Sequence, residues 1–289
     1  MRKVNALEIR NLSKNFGNFK LENINLELPK GYILGYIGQN GAGKTTTIKL
    51  IMEQLKRDSG QITVMGKSYI DNEEAYKEMI GYIADECYYP ECFNINDILG
   101  SLKDFYPTFN EEKFISYVNL WELPRKTALR KFSKGMKLKL MFATVLSRDT
   151  KLLVLDEPTS GLDPVIRSEI LEILQDYISD GERSVMFSTH IMSDLEKIAD
   201  YLYFIDKGKT IFYDSKDNVV ESYLIVKGGS EDLTDEREKK LIGCKKSNIG
   251  FEGLIHSSDA KYFKDGFLIE KPRVDDIVVF HIKGVRGKR

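Results

Sequence analysis

The sequence predicts an α/β fold built around a parallel sheet, and three observations predict it. A glycine-rich turn lies between an apolar strand and a helix within residues 32–55. Two further apolar strands, in residues 152–155 and 184–188, are separated by an amphipathic helix, and a strand, a crossover helix and a second strand form a parallel pair. The third observation is a change from short strands to helical periodicity at about Asp85.

The predicted strands follow in chain order. They cover residues 7–9, 21–28, 32–37, 62–65, 81–84, 152–155, 184–188, 201–204 and 210–213. Residues 21–28 alternate apolar and polar side chains, which is the period of a half-buried strand. Helical patterns dominate from about Asp85 to Arg148, and a hairpin turn at residues 206–209 joins the last two strands.

Two domains are predicted. The main domain covers residues 1–221 and carries a helical insert at about residues 86–150. Beyond it the charge is clustered, as in Ser230–Lys240, and the pieces Gly266–Glu270 and Ile277–Ile282 are β-rich in composition. We therefore expect residues 222–289 to form a small accessory domain that contains β structure.

Composition and charge exclude several classes of protein. The chain has 289 residues, with 43 lysines and arginines against 44 acidic residues and a net charge of −1, which argues against a protein that coats nucleic acid. Its longest uncharged run, Gly31 to Gly43, is far shorter than the ~20 apolar residues that span a bilayer. The first ten residues lack the apolar stretch of a secretory signal. We expect a soluble, cytoplasmic chain whose three cysteines are reduced thiols.

A phosphate-binding loop stands between the third predicted strand and the first predicted helix. Residues 38–45, of sequence GQNGAGKT, fit the pattern G-x-x-x-x-G-K-[ST] at every fixed position. The glycines allow backbone N–H groups to surround a polyphosphate, and the helix N-terminus adds partial positive charge. Lys44 is expected to reach the β- and γ-phosphates, and the Thr45 hydroxyl is expected to hold Mg²⁺.

Two acidic residues, Asp156 and Glu157, end the apolar strand at residues 152–155. Asp156 suits a contact with Mg²⁺, and Glu157 is placed to accept a proton from a water that attacks a γ-phosphate. His190 follows the next apolar strand, 33 residues after Glu157. Because the ends of neighbouring parallel strands share one edge of the sheet, we expect His190 to reach the same phosphate.

These motifs, together with the stretch SGLD at residues 160–163, resemble the ATP-binding subunit of an ABC transporter over about residues 4–220. The usual signature LSGGQ of that family is matched by FSKGM at residues 132–136, where Ser133 and Gly135 agree. The Lys-Gly-Met variant is similar to that of bacterial exporters of the bacitracin-resistance and multidrug type. The resemblance implies a P-loop NTPase core with an antiparallel β subdomain and a helical insert.

The resemblance also implies a head-to-tail dimer, either a homodimer or a heterodimer with a related ATPase, in which the signature of one subunit covers the ATP of the other. It implies ATP and Mg²⁺ as the ligands. The implied site residues are Phe16, Gly38, Asn40, Gly41, Ala42, Gly43, Lys44, Thr45 and Thr46 for ATP; Thr45, Asp85 and Asp156 for the metal; Glu157 and His190 for catalysis; Ser133, Lys134, Gly135 and Met136 for the signature acting in trans; and Ser160, Gly161, Leu162 and Asp163 for the dimer loop. A helix start attracts phosphate, which agrees with the signature role, although Ser133 equally suits a plain N-cap.

Two positions depart from the family pattern. Phe16 stands where an aromatic residue, usually tyrosine, stacks on adenine. Asp85 stands where a glutamine usually touches Mg²⁺ and the attacking water, and its shorter, charged side chain puts the coupling of hydrolysis to the partner in question. A nucleotide switch that scarcely hydrolyses ATP therefore stays open as an alternative.

The family contacts integral membrane permease subunits through its helical insert, and we expect the chain to lie peripherally on the cytoplasmic face of the membrane. Six aromatic residues of the insert are candidates for that contact, although most of them are equally suited to packing its own core: Tyr88, Tyr89, Phe93, Phe105, Tyr106 and Phe109. The alternative class is a soluble ABC ATPase that acts on ribosomes or DNA, and the single phosphate loop and the 89 residues between Lys44 and Ser133 disfavour it. The sequence does not specify the cargo.

Overall fold

The structure is a computed structural model that describes residues 4–264 and 266–287, with backbone only for the last three of these. It divides into two compact units. The first runs through Ile191 and includes Tyr203–Phe212, and the second combines Met192–Leu202 with the chain from Tyr213 onward. The second unit thus begins earlier than the predicted accessory domain, because one helix and the end of a hairpin pack with the later residues.

The secondary structure alternates strands and helices through most of the chain. The strands are β1 (Asn5–Asn15), β2 (Lys20–Pro29), β3 (Ile33–Ile37), β4 (Ser59–Val64), β5 (Ile80–Ile83), β6 (Leu152–Asp156), β7 (Ser184–Thr189), β8 (Tyr201–Asp206), β9 (Lys209–Ser215), β10 (Tyr223–Gly228), β11 (Gly243–Lys246), β12 (Phe251–His256) and β13 (Leu268–Glu270). The α-helices are α1 (Lys44–Ile51), α2 (Glu73–Glu78), α3 (Ile95–Phe105), α4 (Glu111–Leu120), α5 (Lys134–Leu146), α6 (Pro164–Ile178), α7 (Met192–Ile198), α8 (Lys216–Glu221), α9 (Asp235–Glu238) and α10 (Val274–Gly287).

A parallel sheet forms the centre of the fold and confirms the predicted class. Its strand order is β5-β6-β7-β3-β8-β9, and β5, β6, β7 and β3 pair in parallel. Every residue of β3, β6 and β7 is buried, as expected for strands covered on both faces. The carboxyl ends of β3, β6 and β7 therefore lie side by side, and the candidate site residues follow these ends.

A smaller antiparallel sheet of order β2-β1-β4 belongs to the same unit. The alternation predicted for residues 21–28 is confirmed, because Leu21, Ile24, Leu26 and Leu28 are buried while most of the residues between them are not. The turn between β1 and β2 carries Phe16 and Phe19, whose rings are 6.4 Å apart.

The helical insert contains α3, α4, a short 3-10 helix at Leu129–Lys131 and α5. These helices share an apolar core that includes Ile95, Leu102, Phe114 and Leu140. Four of the six aromatic candidates, Tyr89, Phe93, Tyr106 and Phe109, pack against this core. Phe105 is 76% exposed and Tyr88 47% exposed, so most of Phe105 and about half of Tyr88 are accessible to solvent.

The second unit holds an antiparallel sheet of order β11-β12-β10-β13. The expectation of β structure at Ile277–Ile282 is wrong, since these residues belong to α10. The reason is local: Pro272 ends the preceding strand region, the Asp276 carboxylate accepts a hydrogen bond from the Arg273 N–H, and apolar residues recur at helical spacing. No helix within residues 4–264 and 266–287 combines the length and the apolar character needed to cross a membrane.

Candidate active site

The phosphate-binding loop joins the end of β3 to the start of α1, as predicted. Gly41 and Gly43 have φ angles of +80° and +118°, a region that glycine adopts without strain. Gly38 has no room for a side chain, because an added Cβ would lie 2.7 Å from the Ile205 carbonyl oxygen. The Lys44 ammonium folds back and donates a 2.7 Å hydrogen bond to the Gly38 carbonyl. The loop therefore has the curvature that a bound polyphosphate requires.

A cleft of about 950 Å³ opens above this loop, and we call it the phosphate cleft. It is lined by Phe19, Gln39, Asn40, Gly41, Gly43, Lys44, Thr45, Thr46, Lys49, Tyr82, Ala84, Asp85, Glu86, Asp156 and Glu157. The α1 N-terminus, two lysines and several backbone N–H groups give one wall positive character. The same lining carries four carboxylates, those of Asp85, Glu86, Asp156 and Glu157, and a cleft with both charges suits an anion bound together with a cation.

Asp156 lies at the carboxyl end of β6 and is 7% exposed. Burial raises the pKa of its carboxyl group, and hydrogen bonds from Thr45 and Ser188 oppose that rise. The Ser188 hydroxyl donates to Asp156 Oδ1 over 3.3 Å, which agrees with the parallel pairing of these two residues. A buried carboxylate beside a threonine hydroxyl offers the oxygen ligands that Mg²⁺ prefers, so Thr45 and Asp156 fit the metal that the fold implies.

The Glu157 carboxylate contacts both Lys44 and His190. Its Oε1 lies 3.1 Å from the Lys44 ammonium, and its Oε2 lies 2.6 Å from His190 Nδ1 and accepts the His190 backbone N–H over 3.2 Å. The predicted convergence of Glu157 and His190 at one sheet edge is thus seen in the geometry. In this state one carboxylate oxygen of Glu157 is held by Lys44, the residue expected to bind phosphate.

The backbone of Glu157 is in the left-handed region, with a φ of +52°. This conformation is uncommon for a residue with a side chain, and here it also occurs outside the site, for example at Glu53 and Glu122. The Glu157 N–H donates to the Ser188 carbonyl over 2.9 Å, which ties the turn to β7. The turn directs the side chain toward Lys44 and His190 rather than along the strand.

The segment Ser160–Asp163 leads from Glu157 into α6. Ser160 donates its N–H to the Glu157 carbonyl, and Gly161 has a φ of +68°. The Asp163 carboxylate caps α6 by accepting the N–H groups of Val165 and Ile166 at 3.0 and 3.1 Å. A helix-capping role for Asp163 is therefore visible within one chain.

Ser133 caps α5, since its hydroxyl accepts the Met136 N–H over 3.1 Å. The N-cap interpretation of Ser133 is thus confirmed. Among the described residues that line the phosphate cleft, none comes from Ser133–Met136. The Lys134 ammonium instead lies 2.9 Å from Asp85 Oδ1, so within one chain these signature residues stand apart from the phosphate-binding loop.

Phe19, which sequence analysis did not name, lies in the same turn as Phe16, whose role toward adenine stays a prediction. Phe16 is 48% exposed and does not line the phosphate cleft, whereas Phe19 does. A Cβ added to Gly43 would lie 3.1 Å from the tip of the Phe19 ring, so that ring packs on the loop itself. The sequence does not indicate which of two phenylalanines three residues apart in a turn lines the cleft. Only the geometry of the turn shows this.

Comparisons with known proteins agree with this geometry. The family described as "ABC transporter" matches residues 21–160. The lantibiotic transport ATP-binding protein SrtF of Streptococcus pyogenes is 34% identical over 233 residues, which cover 75% of this chain and 95% of that protein. The chain belongs to the ABC transporter family. The resemblance inferred from the motifs is thereby confirmed.

Further relatives extend the match beyond the core. The ABC transporter ATP-binding protein YtrB of Bacillus subtilis is 28% identical over 274 residues, covering 93% of this chain and 92% of that protein. The bacitracin transport ATP-binding protein BcrA of Bacillus licheniformis is 31% identical over 209 residues, covering 71% and 68%. A solved ATP-binding subunit of an ABC transporter superposes with a TM-score of 0.68 at 26% identity, over 74% of this chain and 91% of that one.

This ABC subunit binds ATP and belongs to a family that hydrolyses ATP to power transport. The relatives support a transporter subunit over a soluble ATPase that acts on ribosomes or DNA. ATP-binding subunits of this kind work with membrane permease components. The ATPase prediction is confirmed, and the assignment of individual residues stays a prediction.

Proposed function

We propose that two copies of this subunit, or one copy and a related ATPase, bind two Mg·ATP between them and close. One observation carries the proposal: Lys44 and Glu157 line the phosphate cleft and His190 contacts Glu157, while Ser133–Met136 of the same chain do not line the cleft. A signature helix that opens with a capped, accessible N-terminus can serve an anion outside its own chain. A second subunit would supply the missing wall of each cleft.

In hydrolysis, Glu157 is the proposed general base. It accepts one proton from the water whose oxygen attacks the γ-phosphorus, and the bond between that phosphorus and the ADP oxygen breaks. His190 holds Oε2 of Glu157 and fixes the direction of the carboxylate. Lys44 moves from Glu157 to the phosphates when ATP binds, which leaves Oε1 of Glu157 for the water.

Magnesium is the proposed metal, held by Thr45 and Asp156. When bound, Mg²⁺ neutralises charge on the phosphate oxygens. The observation that supports it is the buried Asp156 carboxylate, whose pKa is raised by burial and which faces the Thr45 hydroxyl. Asp85 also lines the cleft, and its service as a third ligand stays a prediction because its carboxylate is paired with Lys134.

We infer that the transporter is an exporter, since the relatives named for lantibiotic and bacitracin transport share most of this chain. We propose that the permease docks beside the helical insert, at a cavity of about 440 Å³ lined by Tyr76, Tyr82, Tyr88 and Tyr106. Arg148 stacks 3.7 Å from the centre of the Tyr106 ring, and its buried Nε has no hydrogen-bond partner among the described residues. An acidic or carbonyl group of the permease would satisfy that N–H. The subunit would then sit on the cytoplasmic face of the membrane.

A pull-down from membranes in mild detergent tests this function. The Glu157→Gln subunit, supplied with ATP, should retain a multi-span membrane protein in near-equal amount, because it holds the closed dimer. The matched control is Lys44→Ala, which should not close and should retain less. Recovery of ribosomes or DNA instead, with no membrane protein, would contradict the transporter assignment, and a monomeric Glu157→Gln at saturating ATP would contradict the dimer.

A further inference from the structure

Two charged residues at family motif positions meet in space. Asp85 stands where the resemblance places an uncharged glutamine, and Lys134 belongs to the Lys-Gly-Met signature variant. The structure brings the two charges into contact, with the Lys134 ammonium 2.9 Å from Asp85 Oδ1. They are 49 positions apart in sequence, so the contact joins the segment after β5 to the first residue of α5.

A second ion pair runs beside the first. Lys137, one turn further along α5, lies 3.4 Å from Glu91 of the same segment. The Glu91 carbonyl also accepts the Arg130 N–H over 3.0 Å, just before the signature. The segment at residues 85–91 therefore meets the signature region at three points.

Helix stability does not explain these lysines. The first turn of α5 contains no acidic residue, and a positive charge near a helix N-terminus opposes the macrodipole. Exposed ion pairs stabilise a fold by only about 0–1 kcal/mol, and Asp85 and Lys134 are about half exposed. Fold stability therefore does not explain the pair either.

The contact between Asp85 and Lys134 lies between the phosphate cleft and helix α5. Asp85 lines the phosphate cleft together with Lys44 and Glu157. Asp85 and Lys134 also line a second cavity of about 410 Å³, with Pro158 on its other side. The pair therefore stands between the catalytic edge of the sheet and the helix that carries the signature.

We propose that Asp85 and Lys134 are positioning residues that act as a pair and set the signature helix relative to the phosphate cleft. This inference rests on the proposed action of the signature across the dimer. The two charges are opposite and in contact, so each is the ion partner of the other. Asp85 acts here through Lys134, and the metal is not required for that contact.

Charge reversal tests the pair. We expect Asp85→Lys and Lys134→Asp each to lower kcat by about ten-fold, less than the ~100-fold that a misplacement of 1 Å can produce. The kcat of the double variant should recover to within about three-fold of the parent, because the double variant again places opposite charges in contact. Such a recovery measures the coupling between the two residues. In Lys134→Asp, which lies outside the phosphate cleft, ATP affinity of the monomer and the Mg²⁺ concentration for half-maximal kcat should stay unchanged.

The matched control is the exposed pair Lys103 and Glu111, which joins two helices of the insert with nearly the same exposure. Reversing either of its charges should leave kcat unchanged. Failure of the Asp85/Lys134 double variant to recover would overturn the inference. A rise in the Mg²⁺ requirement of Asp85→Asn, with no such rise in Lys134→Met, would also overturn the inference. That result would make Asp85 a metal ligand.

The variant Ser133→Arg separates this inference from the function on which it rests. It should abolish turnover while monomers still bind ATP. If Ser133→Arg is inactive and the charge swap fails to recover, only the positioning pair is wrong. If Ser133→Arg retains turnover, the signature does not act across the dimer and both proposals fall.

Discussion

Glu157→Gln should make the isolated subunit bind ATP more tightly, quite apart from its effect on hydrolysis. In the structure the Glu157 carboxylate is an ion partner of Lys44, at 3.1 Å, and the two side chains are 16% and 6% exposed. ATP has to draw Lys44 away from that partner before Lys44 can bind phosphate. Glutamine removes the competing charge and leaves the backbone of the loop unchanged.

The magnitude follows from the geometry. Two unit charges 3.1 Å apart attract by about 5 kcal/mol at an effective dielectric constant of ~20. Glutamine removes the charge and keeps an oxygen beside Lys44, so only part of that attraction is lost, and we use the ~1.5–3 kcal/mol that a charge-assisted contact contributes net. Since each ~1.4 kcal/mol is ten-fold in affinity, binding should tighten by about 10- to 100-fold.

The assay is titration of a fluorescent ATP analogue into dilute, monomeric protein in EDTA. The control is Asp156→Asn, which also removes a carboxylate from the phosphate cleft and does not break the contact between Lys44 and Glu157. Unchanged affinity in Glu157→Gln would contradict the prediction. An equal gain in Asp156→Asn would also contradict it, because it would point to the negative charge of the cleft in general. In the presence of Mg²⁺, kcat of Glu157→Gln should fall by about 10²- to 10⁴-fold, the usual contribution of a general base.

Three further predictions concern the rest of the chain. Lys44→Ala should weaken ATP binding by at least about ten-fold, since it removes a charged phosphate contact, and equilibrium dialysis measures this. Phe19→Ala should raise KM for ATP more than Phe16→Ala does, because Phe19 lines the phosphate cleft and Phe16 does not; equal steady-state effects would argue against it. Burial lowers the pKa of the His281 imidazole below its ordinary value. As the pH falls through about 6.5, this histidine therefore binds a proton in the unfolded protein before it does so in the folded one. The free energy of unfolding then decreases below that pH. Urea unfolding at pH 5 and pH 8 should show a smaller pH dependence in His281→Leu than in the parent.

Much of the core could be predicted from sequence, because its signals are local. The phosphate-binding loop has a fixed spacing, and the apolar strands before Asp156 and His190 are long enough to be recognised. A parallel sheet then requires their ends to meet, and the contact of His190 with Glu157 follows from topology.

The remaining features depend on geometry that the chain pattern does not carry. The pairing of Lys44 with Glu157 requires the left-handed turn at Glu157, and glutamate gives no sign of that conformation in sequence. The ion pair of Asp85 and Lys134 joins two segments that sequence analysis treated separately. The prediction of β structure at Ile277–Ile282 is wrong because the segment is rich in β-branched residues, while its burial within the second unit follows a helical period.

The strained backbone of Glu157 has a consequence for the evolution of this subunit. A left-handed conformation disfavours any residue with a side chain by about 1–3 kcal/mol, and every folded copy carries that penalty whether or not it turns over ATP. Selection for folding alone would favour glycine or asparagine at this position. A duplicated copy released from hydrolysis, such as one half of a heterodimer, would be free to relax there. The residue that follows Asp156 in a given copy therefore indicates whether that copy is still under selection for catalysis.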